Sequence, residues 1–158
     1  MAKHPYAEIY NQLIPEVLEQ HAFVFTDIVD HDEALASNPG GSAISAEVEF
    51  RNGAQKGYCR LIAPVELCVS IAANVLGCEP DDEMAINAAA DAFKEVANVC
   101  TGHVLTQVFG IETTFDILAP YVSNLNEDQW QEALEQPDQL YYLADDFPVL
   151  LKANVTTC

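Results

Sequence analysis

The chain has 158 residues, half of them hydrophobic, enough to bury one sizeable core; a single domain over residues 1–158 is expected and a disordered acidic tail is excluded. Six Lys and Arg stand against 25 Asp and Glu, a formal net charge of −19, and with no basic cluster neither nucleic acid nor an anionic membrane surface fits as a partner. No apolar run reaches the roughly 18–20 residues of a membrane span, and the opening MAKHPYAEIYNQ lacks a secretory-signal pattern, which points to the cytoplasm.

The acidity has a bland explanation, a solvated and self-repelling surface, beside two others, a saline habitat or a basic partner; composition does not choose among them. Five cysteines, Cys59, Cys68, Cys78, Cys100 and Cys158, are odd in number and widely spaced, with no C-x-x-C. Reduced thiols in a reducing compartment are expected, most of them packed as small hydrophobes.

In chain order, residues 5–25 read as a helix opened by Pro5, with an apolar stripe through Ile9, Leu13, Val17 and Phe23 and a kink or break at Pro15. Thr26 to Gly41 is acidic and then turn-rich, the pattern of a surface connection. Ile44 to Arg51 alternates apolar and polar, Asn52-Gly53 is a strong turn signal, and Tyr58 to Ala63 returns. Lys56 and Arg60 can then face the glutamates of the first strand. Pro64 opens a second helix, Val65 to Leu76, closed by Gly77. Acidic Glu79 to Glu83 suits the positive start of a long helix, about Asp82 to Phe109, with Gly110 as its stop. Thr113 to Leu118 reads as a strand, Asn126 to Glu135 as a short helix capped by Asn126, and Leu140 to Ala144 and Val149 to Val155 as two final strands. Strands grouped around a central pair of helices predict an α+β fold: a mainly antiparallel sheet with long helices packed on one face.

The candidate working part is the stretch Asp91 to Phe109. Its apolar residues Phe93, Val96, Ala97, Cys100, Val104 and Val108 recur at helical spacing. Positions three or four apart share a helix face, so Asp91, Glu95 and Asn98 form one polar stripe that ends at Gly102. The bare pattern, [Asp/Ser]-x-x-x-Glu-x-x-Asn, is common and usually means only a solvated face. It recurs as Ser45, Glu49 and Asn52, where an alternating strand cannot bring the three together. Glu8 and Asn11 repeat its second half on the first helix, with His4 in the leading position and Pro15 a turn later. Cys100 and His103 make no zinc site alone, Cys100 lies on the apolar face, and no Gly-rich phosphate loop is present.

Asp91-AFK-Glu95-VA-Asn98-VCTGH resembles the signature of the CheC/CheX chemotaxis phosphatases, with Thr101-Gly102 and Pro120 at fitting distances. The hairpin EVEFRNGAQKGYCRLIAP, the helix after it, the linker LGCEPDDE and the strand ending LAPYV are similar in order and length to the CheX-like branch, and the likeness spans roughly residues 5–155. A single Glu-Asn site favours that branch, and Glu8/Asn11 leaves a two-site arrangement open. The resemblance implies a CheX-like fold, a homodimer, and hydrolysis of the aspartyl phosphate of a phosphorylated CheY-type response regulator. It implies Asn98 as the residue that orients water, Glu95 as partner of the regulator's active-site lysine, and a docking or supporting role for Asp91, with Gly102 leaving room for the partner. It implies no metal or other cofactor in this chain, the Mg2+ being the partner's. The rivals are a non-catalytic CheX-like module that binds a receiver domain and an acidic scaffold whose charge alone makes the contact.

Overall fold

In a computed structural model the described residues are 6–157, the side chain of residue 157 excepted. Pro5, expected to open the first helix, His4 and Cys158 lie outside them. The chain folds as helix α1 (Ala7–Ala22), strand β1 (Thr26–Val29), helix α2 (His31–Ala36), strands β2 (Ala43–Arg51) and β3 (Gln55–Pro64), and helices α3 (Val65–Leu76) and α4 (Glu83–Phe109). Strands β4 (Asp116–Ile117) and β5 (Tyr121–Leu125), helix α5 (Glu127–Leu134) and strands β6 (Leu140–Ala144) and β7 (Phe147–Thr157) follow.

The strands form one antiparallel sheet in the order β1-β6-β7-β3-β2, with β4 and β5 lying one after the other along the free edge of β2. The β2–β3 hairpin falls where alternation and Asn52-Gly53 predict it, in the register Glu47 opposite Arg60 and Arg51 opposite Lys56. The Asn52 carboxamide oxygen accepts from the amides of Ala54 and Gln55 and so closes the turn. Gly57 is required in the returning strand: a Cβ there would run into the Asn154 carbonyl and the Phe50 ring.

Period-two alternation divides the sheet residues between two faces. Ile44, Ala46 and Val48 of β2, Cys59 and Leu61 of β3 and Leu151 of β7 enter the main core beneath α1, α3 and α4, so the long helices do pack on one face. The other face is covered at one end only. There Trp130 and Leu134 of α5 pack on Ala43, Ile62 and Leu150, with Leu35 of α2 beside them.

Several elements depart from the sequence reading. Thr26 to Gly41 is not only a connection but supplies edge strand β1 and helix α2, whose N-cap Asp30 accepts from the Glu33 amide. Pro15 does not end α1, which runs on to Ala22 because Ile14, Val17 and Leu18 around it are buried. The strand expected over Thr113 to Leu118 shrinks to two residues, and β5 appears beyond Pro120. Pairing runs from Ile117 opposite Phe50, through the Leu118 amide bonded to the Glu49 carbonyl, to Tyr121 opposite Glu47. Ala119 and Pro120 thus bulge out opposite Val48, where a proline without an N–H is tolerated on an edge.

Candidate functional site

Helix α4 is fixed along its length by local chemistry and by burial. The Asp82 carboxylate caps its start by accepting from the Met84 amide at 2.9 Å. Gly110, at a φ of 84°, ends it and returns its amide to the Thr106 carbonyl. Between these ends Phe93, Val96, Ala97, Cys100 and Val104 are buried against the sheet and the neighbouring helices, and Val108 packs partly buried at the rim. The expected apolar back is therefore the buried back.

The opposite stripe carries the candidate residues. Asp91 and Glu95 are exposed, and Asn98 and Gly102 are half-buried. Lys94 reaches Asp91 at 3.4 Å, an exposed pair one turn apart. Neither the Glu95 nor the Asn98 side chain has a hydrogen-bond or ion-pair partner among the described residues. A carboxylate and a carboxamide one turn apart thus keep their full bonding capacity on a rigid support. Apart from the flanking residues and the backbone of its own helix, nothing lies within 4 Å of where a Cβ of Gly102 would sit, so the helix surface beside Asn98 is open. Thr101, next to Gly102, is buried and donates to the Ala97 carbonyl at 2.8 Å; it belongs to the scaffold.

Sequence reasoning stopped the stripe at Asp91, but it begins earlier. Met84 is seven residues before Asp91, a shift of about 20° around the helix, and so shares its face. Its side chain is 57 % exposed, and half-buried Ala88 lies between. Heptad spacing back from Asp91 was the signal that would have found it.

The other candidates do not gather here. Asn11 of the second Glu-x-x-Asn pair has a structural task, accepting at 2.9 Å from the Tyr142 hydroxyl, whose side chain is buried. Cys100 is fully buried, and burial pushes its thiol well above the ordinary value, which leaves it neither nucleophile nor metal ligand. His103 is exposed and meets the ring of His21 edge-on at 6.1 Å. Ser45 and Glu49 lie on strand β2, far in character from a shared helical face. Among the described residues no group of three or more His, Cys, Asp or Glu side chains could hold a metal ion.

An antiparallel sheet backs a long helix that carries an open carboxylate–carboxamide stripe, which defines an α+β protein with an exposed polar helix face. The family model described as Chemotaxis phosphatase CheX matches residues 44–138, more than half of the chain and all of the stripe from Met84 to Gly102. The chain belongs to the CheX family. No curated protein matches it by sequence. Among solved structures it is similar to the chemotaxis protein CheX of Vibrio vulnificus, with a TM-score of 0.69 at 13% identity over 99% of each chain. It is also similar to CheX in a CheX-CheY-BeF3-Mg+2 complex from Borrelia burgdorferi, with a TM-score of 0.62 at 16% identity, covering 97% of this chain and 99% of that one. Thermotoga maritima FliY follows at a TM-score of 0.59 and 19% identity, covering 100% of this chain and 93% of that one. At such identities these likenesses establish the fold; residue roles have to be argued from chemistry.

Proposed function

We propose that this protein is a phosphatase for the aspartyl phosphate of a CheY-type response regulator, with Glu95 and Asn98 as its catalytic residues. The observation that carries this reading is the open pair itself: both side chains lie on the family-matched helix, and neither is engaged within the fold. The Borrelia complex, which joins a CheX to a CheY bearing BeF3, a stand-in for a phosphoryl group, supports the same class of partner.

The chemistry asks little of the enzyme. An acyl phosphate has a good leaving group; hydrolysis needs a water held in line with the phosphorus and the charge on the phosphoryl oxygens neutralised. The Asn98 carboxamide does the first, its oxygen accepting from the water and its nitrogen donating toward the phosphoryl group. Water adds to phosphorus, the P–O bond to the aspartate breaks, and inorganic phosphate leaves. The regulator's own Mg2+ supplies the charge neutralisation. Glu95, one turn away, pairs with the regulator's active-site lysine and sets the register. Asp91 and Met84 extend the contact toward the helix start, and Gly102 lets the partner in. The protein acts in the cytoplasm, as a homodimer.

The test is the decay of a phosphorylated CheY-type receiver with wild type, with Asn98→Ala and with neither. Acceleration by wild type alone supports the reading. Equal decay in all three, together with capture of the receiver by the wild type, would replace it with a binding module that lacks the chemistry.

A further inference from the structure

Positive charge is almost absent from the helices. Each of the five carries Asp or Glu, yet among the described residues they hold a single Lys or Arg between them, Lys94 on α4. The other described bases, Arg51, Lys56, Arg60 and Lys152, stand on strands β2, β3 and β7. The one ammonium group of the helical layer therefore sits beside the candidate stripe, four residues before Asn98 and next to Glu95 in sequence.

Positions three or four apart are neighbours on a helix surface, so Lys94 and Glu95 both adjoin Asn98. They differ by about 100° around the axis and flank it on opposite sides. Helical side chains lean toward the N-terminus, so a group held by the Asn98 carboxamide lies over the turn that carries Lys94 and Glu95. In the free protein Lys94 is kept there by Asp91, whose Oδ1 lies 3.4 Å from Nζ. That pair is open to water, the Asp91 side chain being 81 % exposed, and such pairs are weak. The ammonium group can turn from Asp91 to a stronger anion.

We infer that Lys94 reads the phosphoryl group of the receiver: its ammonium donates to a phosphoryl oxygen while Asn98 holds the water, and the protein thereby prefers a phosphorylated receiver to an unphosphorylated one. The inference rests on the docking in the reading above, α4 laid against the phosphorylated site, and adds the residue that sets specificity. Electrostatics favour such a residue. Without Lys94 the stripe would bring two carboxylates, Asp91 and Glu95, and no cation to a phosphoryl group, a repulsion that salt screens little at contact. Glu95, by pairing with the regulator's lysine, draws positive charge away from the phosphoryl oxygens. Lys94, on the other flank of Asn98, puts one charge back. Lysine meets phosphate as a compact point charge on a flexible stem, which suits a side chain that has to leave Asp91 first.

Binding separates this role from a structural one. A CheY-type receiver is titrated with the protein, once loaded with BeF3 and Mg2+ as a stand-in for the phosphorylated form and once unloaded. Wild type should bind the loaded receiver more tightly. Lys94→Gln should raise the dissociation constant for the loaded receiver about tenfold and leave that for the unloaded receiver nearly unchanged. Lys94→Arg should restore most of the preference. Lys56→Gln removes the same charge from the sheet face turned away from α4 and should move neither constant. The weak Asp91 pair is dispensable for folding, which circular dichroism checks for each variant. A wild type with no preference for the loaded receiver, or a folded Lys94→Gln chain that keeps it, overturns the inference. The phosphatase reading is judged separately by receiver decay: a preference that depends on Lys94 without any acceleration of decay would sink that reading and leave this one standing.

Discussion

The Tyr142 hydroxyl donates to the Asn11 carboxamide oxygen at 2.9 Å, joining the last hairpin to the first helix inside the core. Burial pushes the Tyr142 hydroxyl well above the ordinary tyrosine value, so it remains a neutral donor in need of an acceptor. The second Glu-x-x-Asn pair thereby differs in kind from the first. Asn11 completes a buried polar contact, whereas Asn98 has no partner among the described residues and faces outward.

Asn11→Ala should therefore destabilise the fold by about 1–3 kcal/mol, the range for leaving a buried hydroxyl without a partner. Adding Tyr142→Phe should recover most of that loss, since both polar groups are then gone. Urea denaturation of the two single variants and the double variant measures it, and receiver hydrolysis by folded Asn11→Ala should match wild type.

At Gly102 the expected sign is reversed. The space around it is open and it lies inside α4, where glycine is disfavoured relative to alanine by about 1 kcal/mol. Gly102→Ala should raise the midpoint of thermal unfolding. Gly102→Trp should fold too, yet raise KM for the phosphorylated receiver roughly tenfold with kcat little changed, because it obstructs approach and not the water at Asn98.

Much of the architecture was legible because strong periodicities met strong punctuation. The hairpin carried alternation and Asn52-Gly53, and α4 carried a long apolar stripe between Asp82 and Gly110. What escaped were elements on edges and surfaces. β1 and β5 each pair along one side only and expose much of their length, with burial running from Thr26 outward to Asp27 and Ile28 and with Tyr121, Ser123 and Asn124 all exposed. Such strands leave little alternation to read. Helix α2 is short and acidic, and its Asp30–Glu33 capping signal was hidden in a turn-rich stretch. The candidate stripe was readable as spacing, but the difference between Asn98 and Asn11 depends on which residue comes from 131 positions away to meet Asn11, and no local pattern carries that.

Glu95→Ala should weaken the complex as well as the rate. A carboxylate paired with a lysine at a half-desolvated contact contributes about 1–2 kcal/mol, so the dissociation constant for a phosphorylated receiver should rise roughly tenfold. Its salt dependence should also flatten, because one charge pair is gone. Titration at two ionic strengths reads both effects; an unchanged constant would remove Glu95 from the contact.

On the outer sheet face, Glu47 is nearly buried and its two oxygens are divided. Oε1 accepts from Arg60 Nε at 2.9 Å and Nη2 at 2.6 Å, and Oε2 accepts from the Tyr121 hydroxyl. This clamp fastens β5, the second strand after α4, to the hairpin. Arg60→Ala should cost about 3 kcal/mol by leaving a desolvated carboxylate with one donor, and Tyr121→Phe should cost less, about 1 kcal/mol. Chemical denaturation separates the two.

Alkaline pH should destabilise the protein steeply. Cys59 and Cys100 lie in the main core, and burial raises Cys59 from its ordinary 9.0 to about 12 and lifts Cys68 and Cys100 as well. The sign follows from proton binding. Above pH 9 the unfolded chain releases these thiol protons while the folded chain holds them, so unfolding releases protons and is favoured as pH rises. For Cys59 the stabilisation is complete below pH 9 and is lost between there and about 12, at roughly 1.4 kcal/mol per pH unit for each thiol held neutral; Cys68 and Cys100, raised further, extend the loss to higher pH. Tyr10 and Tyr142, also raised by burial, add to the slope above about pH 10. Urea midpoints at pH 7, 9 and 10.5 should show little change over the first interval and a sharp fall over the second. Replacing Cys59 and Cys68 with alanine should shallow that fall even though the pH 7 stability drops, which separates titration of the thiols from their packing.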